Sequence, residues 1–445
     1  MKLFQQMLVA GSALSLIAPI AAQASDTINL EGLNNYDSSK SSAQRFDSKT
    51  FVNEVNEEIA TLNGRVDGLE ANLNNIEAGS FSDTTTMDGK AVFDFGAIDY
   101  SESNTDEAAK FHYSYTLNLN SSFTGDDNLY VRIKTGNHAG WMSDKQDGGY
   151  LSSANGNGDA LKVDKIWYQF PVGDNHTVWV GPKIENYYMH AAAPSLYKPV
   201  TKQFTLGGNG NAYGASTDTG AGWAYVGDNG WSISSNIGTK SNTSCASTSS
   251  TGCTAKPSGS GSYTNSGLLT NETKTSWATQ VGYTEDQWSA SILVNQKSNG
   301  WADGYYHTET SDNGDIGNGN RTSIGLRGWW SPEDTGTAAP SVSLGYDTTS
   351  YDGVSGSAGD NSNAWFVGLM WEDVATADDK IGFAFGQPTT MDNESKDPFA
   401  YELYYSYQAN DSVTITPTIF GGTDRDGNAD GEDIFGALVQ TTFKF

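Results

Sequence analysis

Residues 432–445 read EDIFGALVQTTFKF, and the fold turns on how they are phased. Counting back by twos from the end gives Phe445, Phe443, Thr441, Val439, Ala437 and Phe435, all suited to an apolar face. The alternate set holds Lys444, Thr442, Gln440 and Gly436, mostly small or polar. A period of two is a β-strand with one face in oil and one in water. The last strand of a soluble sandwich could look similar. A transmembrane β-barrel needs every strand to look this way.

The same period fills the chain upstream. In FHYSYTLNLN, Phe111, Tyr113, Tyr115, Leu117 and Leu119 alternate with His112, Ser114, Thr116, Asn118 and Asn120. In LYVRIK, Leu129, Val131 and Ile133 alternate with Tyr130, Arg132 and Lys134. Sixteen such segments are expected, near 91–100, 110–122, 128–136, 161–171, 176–183, 222–227, 231–238, 275–284, 287–296, 321–330, 341–347, 363–372, 380–386, 399–408, 413–421 and 433–445. Connections after the even segments are short, as at Asp228-Asn229-Gly230 and Asn410-Asp411, whereas 137–160, 184–221, 239–274 and 297–320 follow odd ones. A sandwich has no reason to sort its loops by parity. A membrane barrel has short turns at one end and long loops at the other, with an even strand number. Aromatics at segment ends (Trp329, Trp330, Trp365, Trp371, Tyr405, Tyr407) suit interfacial girdles. The fold expected is all-β, a 16-stranded antiparallel transmembrane β-barrel over 91–445.

Composition agrees. The 445 residues carry a formal net charge of −28, which excludes a nucleic-acid binder of the usual basic kind. Mean hydropathy is −0.49, as in soluble proteins, yet a barrel wall is apolar only on alternate residues and its signal averages out. Lys2, the apolar stretch LFQQMLVAGSALSLIAPI and Ala22-Gln23-Ala24 make a signal peptide over 1–24. A polar lead follows over 25–50. Then Val52, Val55, Ile59, Leu62, Val66, Leu69, Leu73 and Ile76 repeat at alternating spacings of three and four. That strict a/d pattern predicts a short α-helical coiled coil over 51–78, and therefore an oligomer. Residues 79–90 read as a linker. Cys245 and Cys253, in the run SNTSCASTSSTGCTA of an exported chain, suggest a local disulfide.

At YELYYSYQANDSVTITPTIF, 401–420, the chain resembles the penultimate hairpin of the carbohydrate-selective porin family. With the MKLFQQ leader and the heptads, it is similar to cyanobacterial outer-membrane porins. Phe443 and Phe445 resemble the terminal signal read by the barrel-assembly machinery. The resemblance implies homotrimers and passive diffusion of ions and small hydrophilic solutes, sugars among them, through the outer membrane. Such porins usually carry a surface-layer-homology module, for which 25–50 is too short. The N-terminal helix would stand in the periplasm, reaching about 37 Å at 1.5 Å per residue.

Chemistry is sparse. Five scattered His and no nucleophile elbow or H-E-x-x-H argue against an enzyme, and no cofactor or metal is expected. The loop DRDGNADGED, 424–433, misses the EF-hand spacing and reads as a solvated acidic loop. Strand parity turns Arg132, Lys134, Lys165, Lys183, Arg321, Arg327 and Lys380 inward, against Asp94 and Glu402. The loop 184–221, with Lys198 and Lys202, is the expected constriction. The pore-lining set is therefore Arg132, Lys134, Lys165, Lys183, Lys198, Lys202, Arg321, Arg327 and Glu402. A basic wall behind acidic loops suits small anions or neutral solutes, unless the cations are neutralised by loop carboxylates. The alternative is a plugged surface barrel acting as adhesin or phage receptor, and whether 184–221 narrows or fills the lumen separates the two.

Overall fold

The computed structural model describes residues 80–82, 84–101, 108–144, 148–213, 219–239, 273–298, 301, 320–352, 359–392, 396–425 and 433–445. The signal peptide, the coiled-coil heptads and both cysteines lie outside them. The chain divides into a first unit, Met1–Asp83, whose described part is the three-residue strand Ser80–Ser82, and a second, Thr84–Phe445.

The described residues of the second unit hold sixteen strands: β1 (Thr85–Tyr100), β2 (Lys110–Ser121), β3 (Asn128–Gly136), β4 (Lys162–Val172), β5 (His176–Lys183), β6 (Thr219–Val226), β7 (Trp231–Thr239), β8 (Thr275–Thr284), β9 (Trp288–Ser298), β10 (Arg321–Trp330), β11 (Ser341–Tyr351), β12 (Asn361–Glu372), β13 (Lys380–Met391), β14 (Phe399–Asn410), β15 (Val413–Thr423) and β16 (Ile434–Lys444). Each pairs antiparallel with the next. β16 returns to β1 in a register from Ile434↔Tyr100 to Lys444↔Lys90, which closes the sheet and removes its edges. All sixteen segments expected from the sequence are present. β1 begins at Thr85, ahead of the 91 suggested by the apolar pattern, while β11 and β13 run on to Tyr351 and Met391.

Strand β9 shows why these residues make a wall. Trp288, Ala290, Ile292 and Val294 are exposed outward, whereas Ser289, Ser291, Leu293, Asn295 and Lys297 are buried inside. From Trp288 to Gln296 the strand climbs roughly 20 Å, at about 3.3 Å per residue and about 40° of tilt, close to the apolar thickness such barrels present to lipid. Polar groups on the outer face find partners within the sheet, because lipid offers none. Ser235 and Thr279 meet at 3.0 Å, and the Trp277 and Trp365 indoles donate to Ser235 and Gln387.

Aromatics ring both ends. At the short-turn end Tyr283 lies 5.1 Å from Trp231 and 5.3 Å from Trp288, with Trp330 nearby in the register. At the long-loop end Phe385 and Phe399 flank Trp365. Trp329 departs from the girdle expectation. It shares the inward face with Arg327, and its indole donates to the Ala193 carbonyl.

Two short turns use the same clasp. Asp127, just before β3, accepts the Phe123 and Thr124 amides and the Tyr168 hydroxyl from β4. Asp379, just before β13, accepts the Val374, Ala375 and Thr376 amides and the Tyr405 hydroxyl from β14. The Tyr168 hydroxyl, followed by the turn donors, holds the Asp127 carboxyl well below the usual carboxylate range.

Candidate functional site

Residues 184–213, between β5 and β6, turn into the barrel and cross it. The segment leaves β5 through the short 3-10 helix Asn186–Met189, and Ile184 and Met189 pack against Trp167, Trp179 and Ala224. It then meets successive strands. The Ala191 amide donates to Ser234 on β7, and Ala192 exchanges two hydrogen bonds with Gln280 on β8. Burial drives the His190 imidazole down to about 3, so it stays neutral there. The Leu196 and Tyr197 amides reach Ser343 on β11.

On the far wall Glu402 of β14 receives four donors: the Tyr197 hydroxyl at 2.9 Å, the Val200 and Thr201 amides at 3.3 and 2.8 Å, and the Thr201 hydroxyl at 2.5 Å. The chain returns through Lys202–Gly207, where the Leu206 carbonyl accepts from Arg327. Lys297 of β9 donates to the Asn211 carbonyl, and Asp347 of β11 accepts the Ala212 amide. Polar ties of this density fix a loop, since each buried donor left unmatched costs about 1–3 kcal/mol.

A second loop joins it through its described residues, 137–144 and 148–161. Trp141, Met142 and Leu151 are buried inside the barrel with Phe204, Phe366, Phe420 and Leu438. Leu151 and Thr201 form an antiparallel bridge between the loops, flanked by the bonds Ser152 N to Val200 O and Lys202 N to Tyr150 O, both 2.8 Å.

The two loops cover the inner faces of β7–β15. Ser234, Gln280, Asn295, Ser323, Ala384 and Glu402 are all 0% exposed. The inner faces of β2 and β3 and the first half of β1 stay accessible. Thr86, Asp88 and Lys90 are exposed, and Thr116, Asn118, Asn120, Arg132 and Lys134 are half-buried. The loop presents Lys202 toward this arc, close enough to act electrostatically on Lys134. Thus 184–213 narrows the lumen from one side.

The expected site residues fall into groups. Arg132 pairs with Asp164, at 2.6 Å through Nε, and with Glu185 at 3.1 Å, and Lys165 lies 3.4 Å from the same Glu185. Burial opposes ionisation of Glu185, but Arg132 and then Lys165 outweigh it and hold the carboxyl below its usual range. Lys183 donates to the Val163 carbonyl, and Lys198 is exposed on the loop. Arg321 lies over the Tyr351 ring at 5.1 Å, away from the open arc, and Lys380 pairs with Glu372 at the short-turn rim. Arg327 and Glu402 do not reach the open arc. Arg327 is sandwiched between Asp347, at 2.6 Å, and the Tyr213 ring, at 4.4 Å, and both residues hold the loop down. At the closing strand Phe443 lies 5.2 Å from Phe93, and Phe445 stacks on Tyr115.

Among the inward residues that escaped the sequence reading are Lys90, Lys297 and Asp347. Lys90 lies just before the suggested start of its strand and Lys297 just past the suggested end of its own. Extending each period of two by one step would have found both. Asp347 ended the segment 341–347, and parity alone does not show that it meets Arg327.

The comparisons agree with this geometry. A family model described as carbohydrate-selective porin, OprB family, matches residues 47–445. An uncharacterized protein of Nostoc sp. (strain PCC 7120) is 27% identical over 424 residues, covering 88% of this chain and 71% of that protein. Among solved structures, Pseudomonas putida OprB at high pH superposes with a TM-score of 0.57 at 11% identity, covering 81% of this chain and 94% of the other. The anion-selective porin from Comamonas acidovorans does so at 0.51 and 10%, covering 81% and 99%. At these identities the structural likeness speaks for the fold alone. A family match over nine-tenths of the chain, on a closed barrel narrowed from within, places this chain in the OprB family of carbohydrate-selective porins, as an outer-membrane channel for small solutes.

Proposed function

We propose that the passage between the open arc and the inner loop favours small anions and neutral hydrophilic solutes, sugars included, over cations. The observation that carries this is the unequal wall. The accessible faces of β1–β3 carry Lys90, Arg132 and Lys134, with Lys202 facing Lys134, while the carboxylates at hand are Asp88, Asp94, which bonds His138, Asp164 and Glu185. Asp164 and Glu185 are engaged with Arg132 and Lys165, which leaves Lys90 and Lys134 without an ion pair among the described residues. Charges across a narrow aqueous gap select permeants by sign. Their reach in 0.1 M salt is about 10 Å and shrinks to about 3 Å at 1 M.

The wider assembly proposed is a homotrimer, with 51–78 as a coiled-coil stalk in the periplasm, a cleaved leader over 1–24, a Cys245–Cys253 bridge in the outer loop and Phe443/Phe445 as the assembly signal. The unbroken heptads support the stalk and an oligomer.

The test is single-channel recording of the native oligomer in a planar bilayer under a KCl gradient. The expected reversal potential is that of a weakly anion-preferring pore, with the preference fading as salt approaches molar. Lys134→Glu moves it toward cations. A wild-type pore that prefers cations overturns the selectivity reading.

A further inference from the structure

The strand register sets four lysines of the open arc in one row. Lys444 of β16 lies opposite Lys90 of β1, Lys90 opposite Thr116 of β2, Thr116 opposite Lys134 of β3, and Lys134 opposite Lys162 of β4. All five stand on the inward face. Lys162 does so because the register slips at Asp164: Arg132 pairs with buried Lys165, then Ile133 pairs with outward Val163. Lys444, Lys90 and Lys162 are exposed, and Thr116 and Lys134 are half-buried. Lys and Arg together number 25 in 445 residues, so four cations in a row of five is not what an arbitrary inward row would hold.

The row is slanted. Four strand steps of about 4.8 Å span roughly 19 Å, and with strands tilted by about 40° the row climbs roughly 12 Å along the pore. It starts at the last residue of β16, at the short-turn end, and stops at the first residue of β4, at the long-loop end.

Such a row costs the sheet stability. Like charges directly opposite on neighbouring strands repel, and Lys444 with Lys90 and Lys134 with Lys162 are two such pairs. Lys444 and Arg132 act electrostatically on Lys90, and Arg132 and Lys202 act on Lys134. The carboxylates around the row are engaged. Buried Asp94 accepts from His138, Ser153 and Gln440, and Asp88 accepts from Asn118 and Asn120. Asp164 and Glu185 pair with Arg132.

We propose that this row is a track for doubly charged oxyanions of the phosphate and sulfate type, free or as a phosphate monoester. The inference rests on the anion-favouring reading of the passage and names the class of anion. Opposite lysines stand about 5 Å apart at Cβ, so one tetrahedral anion meets both ammoniums through separate oxygens and offsets their repulsion. Chloride brings one centre and one charge. The Thr116 hydroxyl, between the two lysine pairs, donates to an anion passing from one to the other. Two weak sites in series bind well enough to admit the anion and loosely enough to release it.

The experiment uses the full-length native oligomer in planar bilayers in 0.1 M KCl at pH 8, where phosphate is a dianion. Potassium sulfate, phosphate, glycerol phosphate and, as the monovalent control, acetate are titrated in at matched ionic strength. Chloride conductance is expected to fall about two-fold and level off with sulfate or phosphate in the millimolar range, and to change little with acetate. Lys90→Gln and Lys134→Gln each raise the half-blocking concentration by about five-fold, and the double variant abolishes the block. Both should melt at or above wild type, since each relieves a repulsion, whereas a lysine serving only the fold would lower melting when replaced. Block by glycerol phosphate at the same concentrations assigns phosphate esters to the track, and block by sulfate and phosphate alone confines it to free anions. No saturable block, or an equal block in the folded variants, overturns the proposal. An anion-preferring pore without that block loses the track alone. A cation-preferring pore still blocked through Lys90 and Lys134 keeps the track and loses the sign of selectivity.

Discussion

Two arcs of the same wall differ in the size of what points inward. Under the loops many inward positions are small, among them Ser234, Gly282, Ser323, Gly345, Gly368 and Ala384, beside larger ones such as Gln280, Phe366 and Glu402 that pack on or bond to the loops. The small ones make room for backbone. A Cβ on Gly345 would lie 1.9 Å from the Gly207 carbonyl oxygen, and one on Gly368 would lie 2.8 Å from the Tyr197 ring. Where nothing covers the wall, inward side chains are long and polar: Asn118, Asn120, Tyr130, Arg132 and Lys134. Asn118 and Asn120 donate to Asp88, and the Tyr130 hydroxyl donates to Asn118, so the open arc is a hydrogen-bonded polar surface in contact with water. The contrast teaches that an inward period of two carries a second message: the recurrence of Ser, Gly and Ala marks the packed part of the wall.

That contrast can be broken first at Glu402. Glu402→Ala leaves two amides and two hydroxyls without their acceptor inside the barrel. The expected loss is roughly 4 kcal/mol, seen as a lower melting temperature of the detergent-solubilised oligomer, with raised and noisier conductance. Arg327→Met comes next. It strands the buried Asp347, and breaking such a pair costs about 3 kcal/mol, whereas Arg327→Met with Asp347→Leu recovers much of the loss. On the open arc the effects change kind. Asn118→Ala should leave melting within about 0.5 kcal/mol of wild type and alter only conductance. A large fall in melting there would erase the distinction between the arcs.

The smallest effect belongs to the turn clasps, outside the comparison and useful as its baseline. The Asp127 carboxyl is depressed in the folded state, so its contribution is present above the ordinary carboxylate range and fades as pH falls through and below it. Asp127→Asn should therefore melt slightly below wild type at pH 7, and the gap should narrow in acid. A gap that widens in acid would contradict the assignment.

Most of the wall could be read from sequence, because lipid enforces the signal. Every outward residue must be apolar or internally satisfied, so FHYSYTLNLN and EDIFGALVQTTFKF announce their phase without help from tertiary contacts. The parity of the connections followed for the same reason. What escaped was the interior. Glu402 and Arg327 sit on the right face, but whether an inward charge meets water or a loop depends on a crossing chain some 200 positions away, as Thr201 and Glu402 are. Likewise 137–161 looked like an outer loop, since Trp141 and Leu151 carry no periodicity to show that they turn in. Trp329 was misplaced because two adjacent tryptophans at a strand end cannot both face lipid, and Trp330 took the outer position.

The seam between β16 and β1 has a consequence for how the molecule comes into being. Asp94 and Gln440 meet across it although 346 positions separate them. Bringing such distant points together costs about 5 kcal/mol in chain entropy, and nothing in the seam can repay it until β16 has been made. Until then the first strand waits with an unpaired edge, the kind of edge that recruits other chains. The outward pair Phe93 and Phe443 meets across that seam, with Tyr115 of β2 stacked on Phe445 beside it. Assembly is thus all-or-none at its last step: a chain lacking β16 leaves two edges where the finished barrel has none.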